Sequence, residues 1–367
     1  MFSLEALQAK HGDCLLMHYG PDNDPSMMLI DGGPDTVYRQ ALLPRLAEIR
    51  EQRAFGGPLP LSLVMVSHID DDHINGLLDL TDALIDDLDN ERPRRFVIDA
   101  LWHNSFDDII GNQALPDVSS AAASVASVLS QFSPPGTMDH EAAVLASVPQ
   151  GQRLRDNARR LNLMPINRPF DGLIRANRSG PVKWDKDLYL HVVAPSAQRL
   201  QQLQEVWDQQ LKKQDDKKDA AVAAYRDRSP YNLSSIVVLA SHGGKRMLLT
   251  GDARGDDILQ GLADEGLLDA SGRIHVDLLK LPHHGSQNNV EPEFFQTVTA
   301  DHYVVSGDRE RHPNPHPEAM TWLRDARSND DYTVWLTYDL PDIISIFPPG
   351  RCRTHREDLQ SVAVPLS

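Results

Sequence analysis

Directly behind the apolar run Val64-Met65-Val66, the chain places His68, Asp70, Asp71, Asp72 and His73 within six residues. Three adjacent carboxylates repel one another, so packing gains nothing from them. A divalent cation would remove that repulsion, and imidazole nitrogens with carboxylate oxygens are ligands that Zn, Mn and Fe accept. His68, Asp70, Asp72 and His73 are therefore candidate metal ligands. A solvated acidic loop would lie in a polar run, whereas this cluster ends a buried-type strand. The following Asn75-Gly76 reads as a turn.

Three further strings carry the same residue types. Thr250-Gly251-Asp252-Ala253 follows an apolar strand, which puts Asp252 at a strand end, although Gly-Asp there is also a common turn. Leu281-Pro282-His283-His284-Gly285-Ser286 offers adjacent histidines. In extended backbone they point to opposite sides, so one is expected at a metal and the other toward substrate or an orienting partner. His283 comes first off its strand and is assigned to the metal; His284, beside Gly285, is assigned to a leaving group. Lys280 reads as a phosphate or carboxylate contact. Trp102-His103 ends another strand, where His103 is either a ligand or a satisfied core histidine. In His312-Pro313-Asn314-Pro315-His316-Pro317, the prolines hold His312 and His316 in a fixed loop.

In this order the strings resemble the metallo-β-lactamase fold superfamily, over about residues 11–106 and 188–348. The stretch from His68 to His73 is similar to its second motif, His-x-His-x-Asp-His, with Asp70 where most members carry a histidine. That form, the Pro-His-His-Gly-Ser string and the His-Pro segment behind Ser306-Gly307 are similar to the hydrolase domain of ComEC/Rec2 DNA-uptake proteins and their soluble relatives. The resemblance implies two divalent ions, Zn or Mn, with an oxygen ligand at Asp70 leaving the choice open. His68, Asp70 and His103 would hold one, Asp72, His73 and His283 the other, with Asp252 between them. Asp31 and Asp13 would be structural. A histidine expected behind the next strand is replaced by Thr337-Tyr338-Asp339.

The resemblance further implies a metal-dependent hydrolase, foremost of phosphodiester bonds in a nucleotide or nucleic acid. Asp72 would be essential to the chemistry, and His284 or His316 would protonate the leaving group. The alternatives are a carboxylic ester, lactone or thioester hydrolase, or a metal-stabilised, non-enzymatic component of a defence or uptake system with a protein partner.

The elements that must position these residues alternate. Strands are expected at Cys14–Tyr19, Met27–Ile30, Ser62–Ser67, Phe96–Trp102, Leu188–Val193, Ser235–Ala240, Arg246–Thr250, Val276–Leu281, Tyr303–Ser306, Thr333–Thr337 and Asp342–Phe347. Helices are expected over Gln40–Gln52, behind His73, and as a polar helix over Leu200–Arg226. Strands interleaved with helices point to layered α/β, and the resemblance implies a four-layer αββα sandwich. The reading is one hydrolase domain over 1–367, with residues 107–183 as a helical or irregular insertion or cap.

Composition narrows the partners. A formal charge of −17 argues against a surface that neutralises many phosphates, so extended duplex DNA is not an expected ligand. A small molecule, a nucleotide or a short single strand held through the metals is compatible with it. No run approaches the about 18 apolar residues of a membrane helix, and Met1-Phe2-Ser3-Leu4-Glu5 is unlike a signal peptide. Cys14 and Cys352 are far apart and have no metal spacing. A cytoplasmic protein is therefore expected.

Overall fold

The structure, a computed structural model, describes residues 1–53, 56–104, 148–201, 234–355 and 360–367. In β2 (Leu15–Tyr19) every residue is buried. Leu15, Met17 and Tyr19 belong to one apolar cluster and Leu16 to another. Successive strand side chains point to opposite faces, so a strand buried throughout needs a layer on each side. The same division holds in β3 (Ser26–Ile30), where Met28 and Ile30 face away from Met27 and Leu29. It recurs in β10 (Val237–His242) and β11 (Lys245–Leu249), where Val238, Ala240, Met247 and Leu249 share the first cluster, while Val237, Leu239 and Leu248 enter a third.

The shared cluster is the seam between two sheets. The six-stranded sheet has the order β16 (Ser361–Pro365), β1 (Phe2–Leu7), β2, β3, β5 (Leu63–Met65), β7 (Leu101–Trp102). The eight-stranded sheet has the order β15 (Cys352–Thr354), β14 (Thr333–Leu336), β13 (Val298–Val305), β12 (Ile274–Lys280), β11, β10, β9 (Tyr189–Ala194), β8 (Val182–Lys183). Helices Leu43–Gln52, Asp71–Asp89 and Val148–Arg160 cover the outer face of the first sheet through Leu46, Leu77, Leu80, Leu84 and Leu154. Helices Gly255–Asp264, Pro292–Thr297 and Pro317–Ala326 cover the second through Ile258, Phe294, Phe295 and Leu323. The result is the four-layer αββα sandwich expected from the sequence.

Each sheet is antiparallel on one side and parallel on the other. β3, β5 and β7 run parallel, as do β11 to β15. Parallel strands bring their carboxyl ends to one edge, which is where the candidate residues lie.

Several local expectations are corrected. Phe96–Trp102 is two strands: β6 (Phe96–Ile98) pairs with β4 (Leu59–Leu61) in a small sheet, and β7 joins the large one. Asp99 lies at the step, its N–H bonding Leu61 O, while Ala100 O accepts from Val64 N–H. Asp342–Phe347 contains no strand; a short helix, Pro341–Ile344, buries Ile343, with Pro341 starting the turn. Asn75-Gly76 is no turn but lies inside the helix Asp71–Asp89. Residues 107–147 of the expected insertion, 202–226 of the expected polar helix and 231–233 lie outside the described residues. Among the described residues, no helix is long and apolar enough to cross a membrane. Cys14 is buried and Cys352 half-buried, both as free thiols.

Candidate metal centre

β3 leads to Asp31, β5 to Ser67 and His68, β7 to His103, β11 to Asp252, β12 to His283 and His284, and β13 to Ser306. A hydrogen bond from Ile236 N–H to Ser67 O (2.8 Å) ties the two halves together at this edge.

The helix Asp71–Asp89 starts inside the cluster. Asp70 is its N-cap residue but makes no side-chain cap bond; its Oδ2 instead lies 3.4 Å from His68 Nε2. Asp71 and Asp72 occupy the first turn, where the helix dipole favours negative charge. Backbone contacts fix this turn, with Gly32 N–H donating to His73 O (2.7 Å) and Gly76 N–H to Gly33 O (3.0 Å). A Cβ on Gly76 would stand 1.9 Å from Gly32 O, and one on Gly12 would stand 1.9 Å from Asp72 O. Only glycine permits these approaches.

Asp252 is fully buried and divides the cluster in two. Its Oδ1 lies 3.4 Å from His73 Nε2 and 3.6 Å from His284 Nε2. Its Oδ2 lies 3.4 Å from His283 Nε2 and 3.7 Å from His68 Nε2. Asp72 Oδ2 joins the first group, 3.7 Å from His284 Nε2 and 3.9 Å from His73 Nε2.

The far nitrogen of each ring explains why the Nε2 atoms converge. Asp31 accepts the Ser67 N–H (2.7 Å) and the Ser67 hydroxyl hydrogen (2.6 Å), and it also accepts from His73 Nδ1 (2.8 Å). Because Ser67 has spent its hydrogen, its oxygen accepts from His68 Nδ1 (3.1 Å). Ser306 likewise donates to Asp13 Oδ1 (2.5 Å) and accepts from His284 Nδ1 (2.8 Å). His283 Nδ1 donates to Asn289 Oδ1 (2.8 Å), and Asn289 in turn donates to Asp252 O (3.1 Å). In a neutral ring this leaves the Nε2 lone pair facing the carboxylates, the arrangement metal-binding histidines use.

The donor set fits a divalent cation. His68 Nε2, His73 Nε2, His284 Nε2 and both Asp252 carboxylate oxygens are buried and make no hydrogen bond. Such atoms are costly unless an ion or proton satisfies them. Asp13, His73, Asp252 and His284 bring ligand atoms within 4.8 Å of one another. Protons stand in for the ion's charge in the metal-free cluster. Burial would lower His73, but Asp252, Asp31 and Asp72 outweigh it and hold the ring well above its ordinary value. Against the same effect of burial, Asp13 and Asp252 push His284 up to about 9. Burial would raise Asp252, yet the imidazoles of His283, His73, His284 and His68 hold it well below the usual carboxylate range.

The expectation of diverging histidines is corrected. His283 (φ 44°) and His284 (φ 55°) are not extended but left-handed, within a 3-10 turn Pro282–Gly285. Left-handed backbone costs a non-glycine residue about 1–2 kcal/mol. Here it turns both rings onto Asp252, one at each oxygen. His284 lies in the group with Asp72 and His73, the place that the resemblance gave to His283. It is 1% exposed, which removes it from the reach of a leaving group.

His103 is fully buried; its N–H bonds Asn167 Oδ1 (2.7 Å), and a Cβ on Gly151 would come 3.4 Å from its Nε2. It faces the helix Val148–Arg160. His316 is half-buried, and its N–H bonds Gly285 O (3.0 Å). Thr337 is buried, and its carbonyl accepts from Gln8 Nε2 (2.9 Å). Lys280 is 0% exposed and pairs with Asp13 Oδ2 at 2.7 Å, so it is a carboxylate contact and no phosphate contact. Sequence reasoning passed over Ser306 and Asn289 as ring-orienting groups. Both follow strand or turn ends beside the histidines, but no spacing marks them.

No family model matches the chain. Among curated proteins, it is similar to ComE operon protein 3 of Bacillus subtilis (strain 168), at 25% identity over 179 residues. That match covers 47% of this chain and 19% of the relative, so the chain spans about a fifth of the relative's length. Among solved structures, it is similar to the metallo-β-lactamase fold protein YhfI from Bacillus subtilis, with a TM-score of 0.40, 9% identity and 98% of each chain covered. A β-lactamase domain protein from Burkholderia ambifaria matches with a TM-score of 0.29 and 13% identity, over 69% of this chain and 56% of that one.

Proposed function

We propose that the protein is a dinuclear metal-dependent hydrolase that acts on phosphodiester bonds in a nucleotide or short single strand. The observation that carries this reading is the division of Asp252, each of whose oxygens faces its own group of imidazoles. A carboxylate placed so is suited to bridge two ions about 3.5–4 Å apart. Asp72, His73 and His284 would hold one ion; His68 and Asp70 would hold the other, with His103 the candidate to complete it. Bound divalent ions would supply a lowered pKa for water and charge stabilisation at the attacked oxygen.

The chain's own residues set the rest. His283, whose side chain is 18% exposed against 2% for His284, is the imidazole able to meet a leaving group. His316, beside Gly285, is the second one at that edge. This exchanges the roles that strand position suggested for His283 and His284. An arginine at the rim supports a phosphate-bearing substrate over a neutral ester. Exposed Arg311 brings Nη1 to 3.4 Å from His11 Nε2, and the rings of His11 and His312 meet edge-on at 5.5 Å. Burial pushes His11 down to about 4 although Asp72 pulls the other way, so the ring is a neutral hydrogen-bonding group between rim and cluster. We further propose that Val148–Arg160 belongs to a cap. Its Gln150 donates to Asp71 Oδ1 (3.0 Å) at the start of the metal-loop helix.

The test is reconstitution with Zn or Mn, followed by assay of bis-p-nitrophenyl phosphate, single-stranded DNA, RNA oligonucleotides and lactones. Phosphodiester hydrolysis that disappears in Asp252→Ala supports the reading. Turnover of lactones alone would move the assignment to ester chemistry. Two bound ions with no turnover of any substrate would favour a binding component.

A further inference from the structure

Behind His284 lies a buried chain of three residues, Lys280, Asp13 and Ser306, of which Asp13 stands near the ligand atoms of His73, Asp252 and His284 but is engaged on both oxygens by the other two. Lys280, at the end of β12, is 0% exposed; Asp13 and Ser306 are each 1% exposed. Lys280 Nζ stands 2.7 Å from Asp13 Oδ2 and donates to Leu281 O at 3.1 Å. Asp13 Oδ1 takes the Ser306 hydroxyl hydrogen at 2.5 Å and lies 3.5 Å from His284 Nδ1. The Asp13 N–H also donates to Asp72 O (3.2 Å), which ties the chain to the metal-loop helix.

We propose that Lys280 is a positioning residue for the ion of the Asp72, His73 and His284 group, acting through Asp13 and Ser306 to fix the ring and tautomer of His284. This inference rests on the dinuclear metal-centre reading. A serine hydroxyl donates once, and here it donates to Asp13, so its oxygen can only accept from His284. The ring must then carry hydrogen on Nδ1, and its Nε2 lone pair is presented to the space between Asp72 and Asp252. That polarity depends on where Asp13 Oδ1 stands, and Lys280 fixes the carboxylate by holding its other oxygen at 2.7 Å. A lysine in this place serves neither a core, which would prefer an aliphatic chain, nor a substrate, which cannot reach it.

The experiment uses Ser306→Ala, Lys280→Met and the double variant Lys280→Met/Asp13→Asn. Each is titrated with Zn2+ alone in competition with a chelator, and melted in the metal-free state. Loss of a group that orients a ligand typically lowers metal affinity about 10- to 100-fold. Ser306→Ala should show that loss at one of two sites, leave the other unchanged, and melt close to wild type. Lys280→Met should weaken the same site and melt lower, because Asp13 keeps its buried charge without a partner. The double variant should regain the melting temperature but not the affinity. Variants that melt lower yet bind both ions as wild type does would make the chain purely structural, and equal weakening of both sites would also overturn the inference. A wild type that binds no Zn2+ would overturn the metal-centre reading itself. A wild type with two ions beside unaffected variants would sink the relay alone.

Discussion

His73 donates Nδ1–H to Asp31 Oδ2 across 2.8 Å, and the same carboxylate holds both the amide and the hydroxyl of Ser67. Asp31 is 1% exposed and takes a left-handed backbone (φ 57°), an unusual conformation for a residue other than glycine. One side chain therefore fixes a ligand ring and the loop that carries His68. Asp31→Ala would leave a buried imidazole and two Ser67 donors without their acceptor. The expected cost is about 3–5 kcal/mol, as for breaking a buried charged pair. Urea unfolding of the metal-free protein measures it, and a loss below about 1 kcal/mol would contradict the role, being the size of an ordinary hydrogen bond.

Two ions per chain are expected, since Asp252 serves separate imidazole groups with its two oxygens. Elemental analysis after reconstitution should find two equivalents of Zn or Mn in wild type and at most one in Asp252→Ala. Asp72→Ala should abolish hydrolysis while circular dichroism shows the sheets intact, because Asp72 lies in the first turn of its helix and outside the apolar clusters. Wild type saturating at one equivalent would remove the dinuclear reading.

How much of the fold and the centre was legible in the sequence depends on how local each signal is. The ligand types at His68 to His73 and at Asp252 could be read because each ends a strand of apolar residues. The layered class could be read because strand and helix patterns interleave, and the four layers followed from the resemblance. The direction of His283 and His284 could not, since it depends on two left-handed residues whose backbone is set by contacts of the 282–285 turn. His283 N–H reaches Gly251 O at 3.1 Å, and Asn314 Nδ2 reaches His283 O at 3.2 Å. Partners distant in sequence, such as Ser306 for His284, are likewise invisible to spacing. The helix at Pro341–Ile344 escaped because a short apolar run fits a strand equally well.

Metal binding should release protons. In the metal-free protein, His73 is held well above its ordinary value by Asp252, Asp31 and Asp72 against burial, and His284 is raised to about 9. Both rings are protonated at neutral pH, and each must lose its Nε2 proton to bind an ion. Affinity should therefore fall as pH falls through about 9, where His284 takes up its proton. Calorimetry in buffers of different ionisation enthalpy would count the protons, one from each ring. A pH-independent affinity between 6 and 8 is the result that does not fit.

The net charge predicts weak duplex binding. A formal charge of −17 opposes the approach of a long polyanion. Fluorescence anisotropy at physiological salt should place duplex DNA no tighter than about 1 μM, the tight end of non-specific binding. A submicromolar duplex constant would contradict the charge argument. Short single strands should lose affinity in Arg311→Ala.

Acid stability should also depend on a carboxylate away from the metal centre. Glu5, on β1, is 2% exposed and joins three elements. It accepts from Arg45 Nε (2.8 Å) and Nη2 (3.1 Å) and from Ser361 Oγ (2.7 Å) of β16, while His18 of β2 stands 3.7 Å away. Burial would raise its pKa, but the nearby His18 imidazole, the hydrogen bonds from Arg45 and Ser361 and the charge of Arg45 hold it at about 2 against the usual 4.5. The folded value lies below the unfolded one, so the stabilisation is complete above about 4.5 and is lost as pH falls toward 2. Its size is on the order of 3 kcal/mol at neutral pH. Glu5→Gln keeps the shape and removes the charge. The stability gap between wild type and Glu5→Gln, from urea unfolding of metal-free protein, should be widest at pH 7 and shrink steadily below pH 4.5. A gap as wide at pH 3 as at pH 7 would mean that shape, and not ionisation, is what Glu5 contributes.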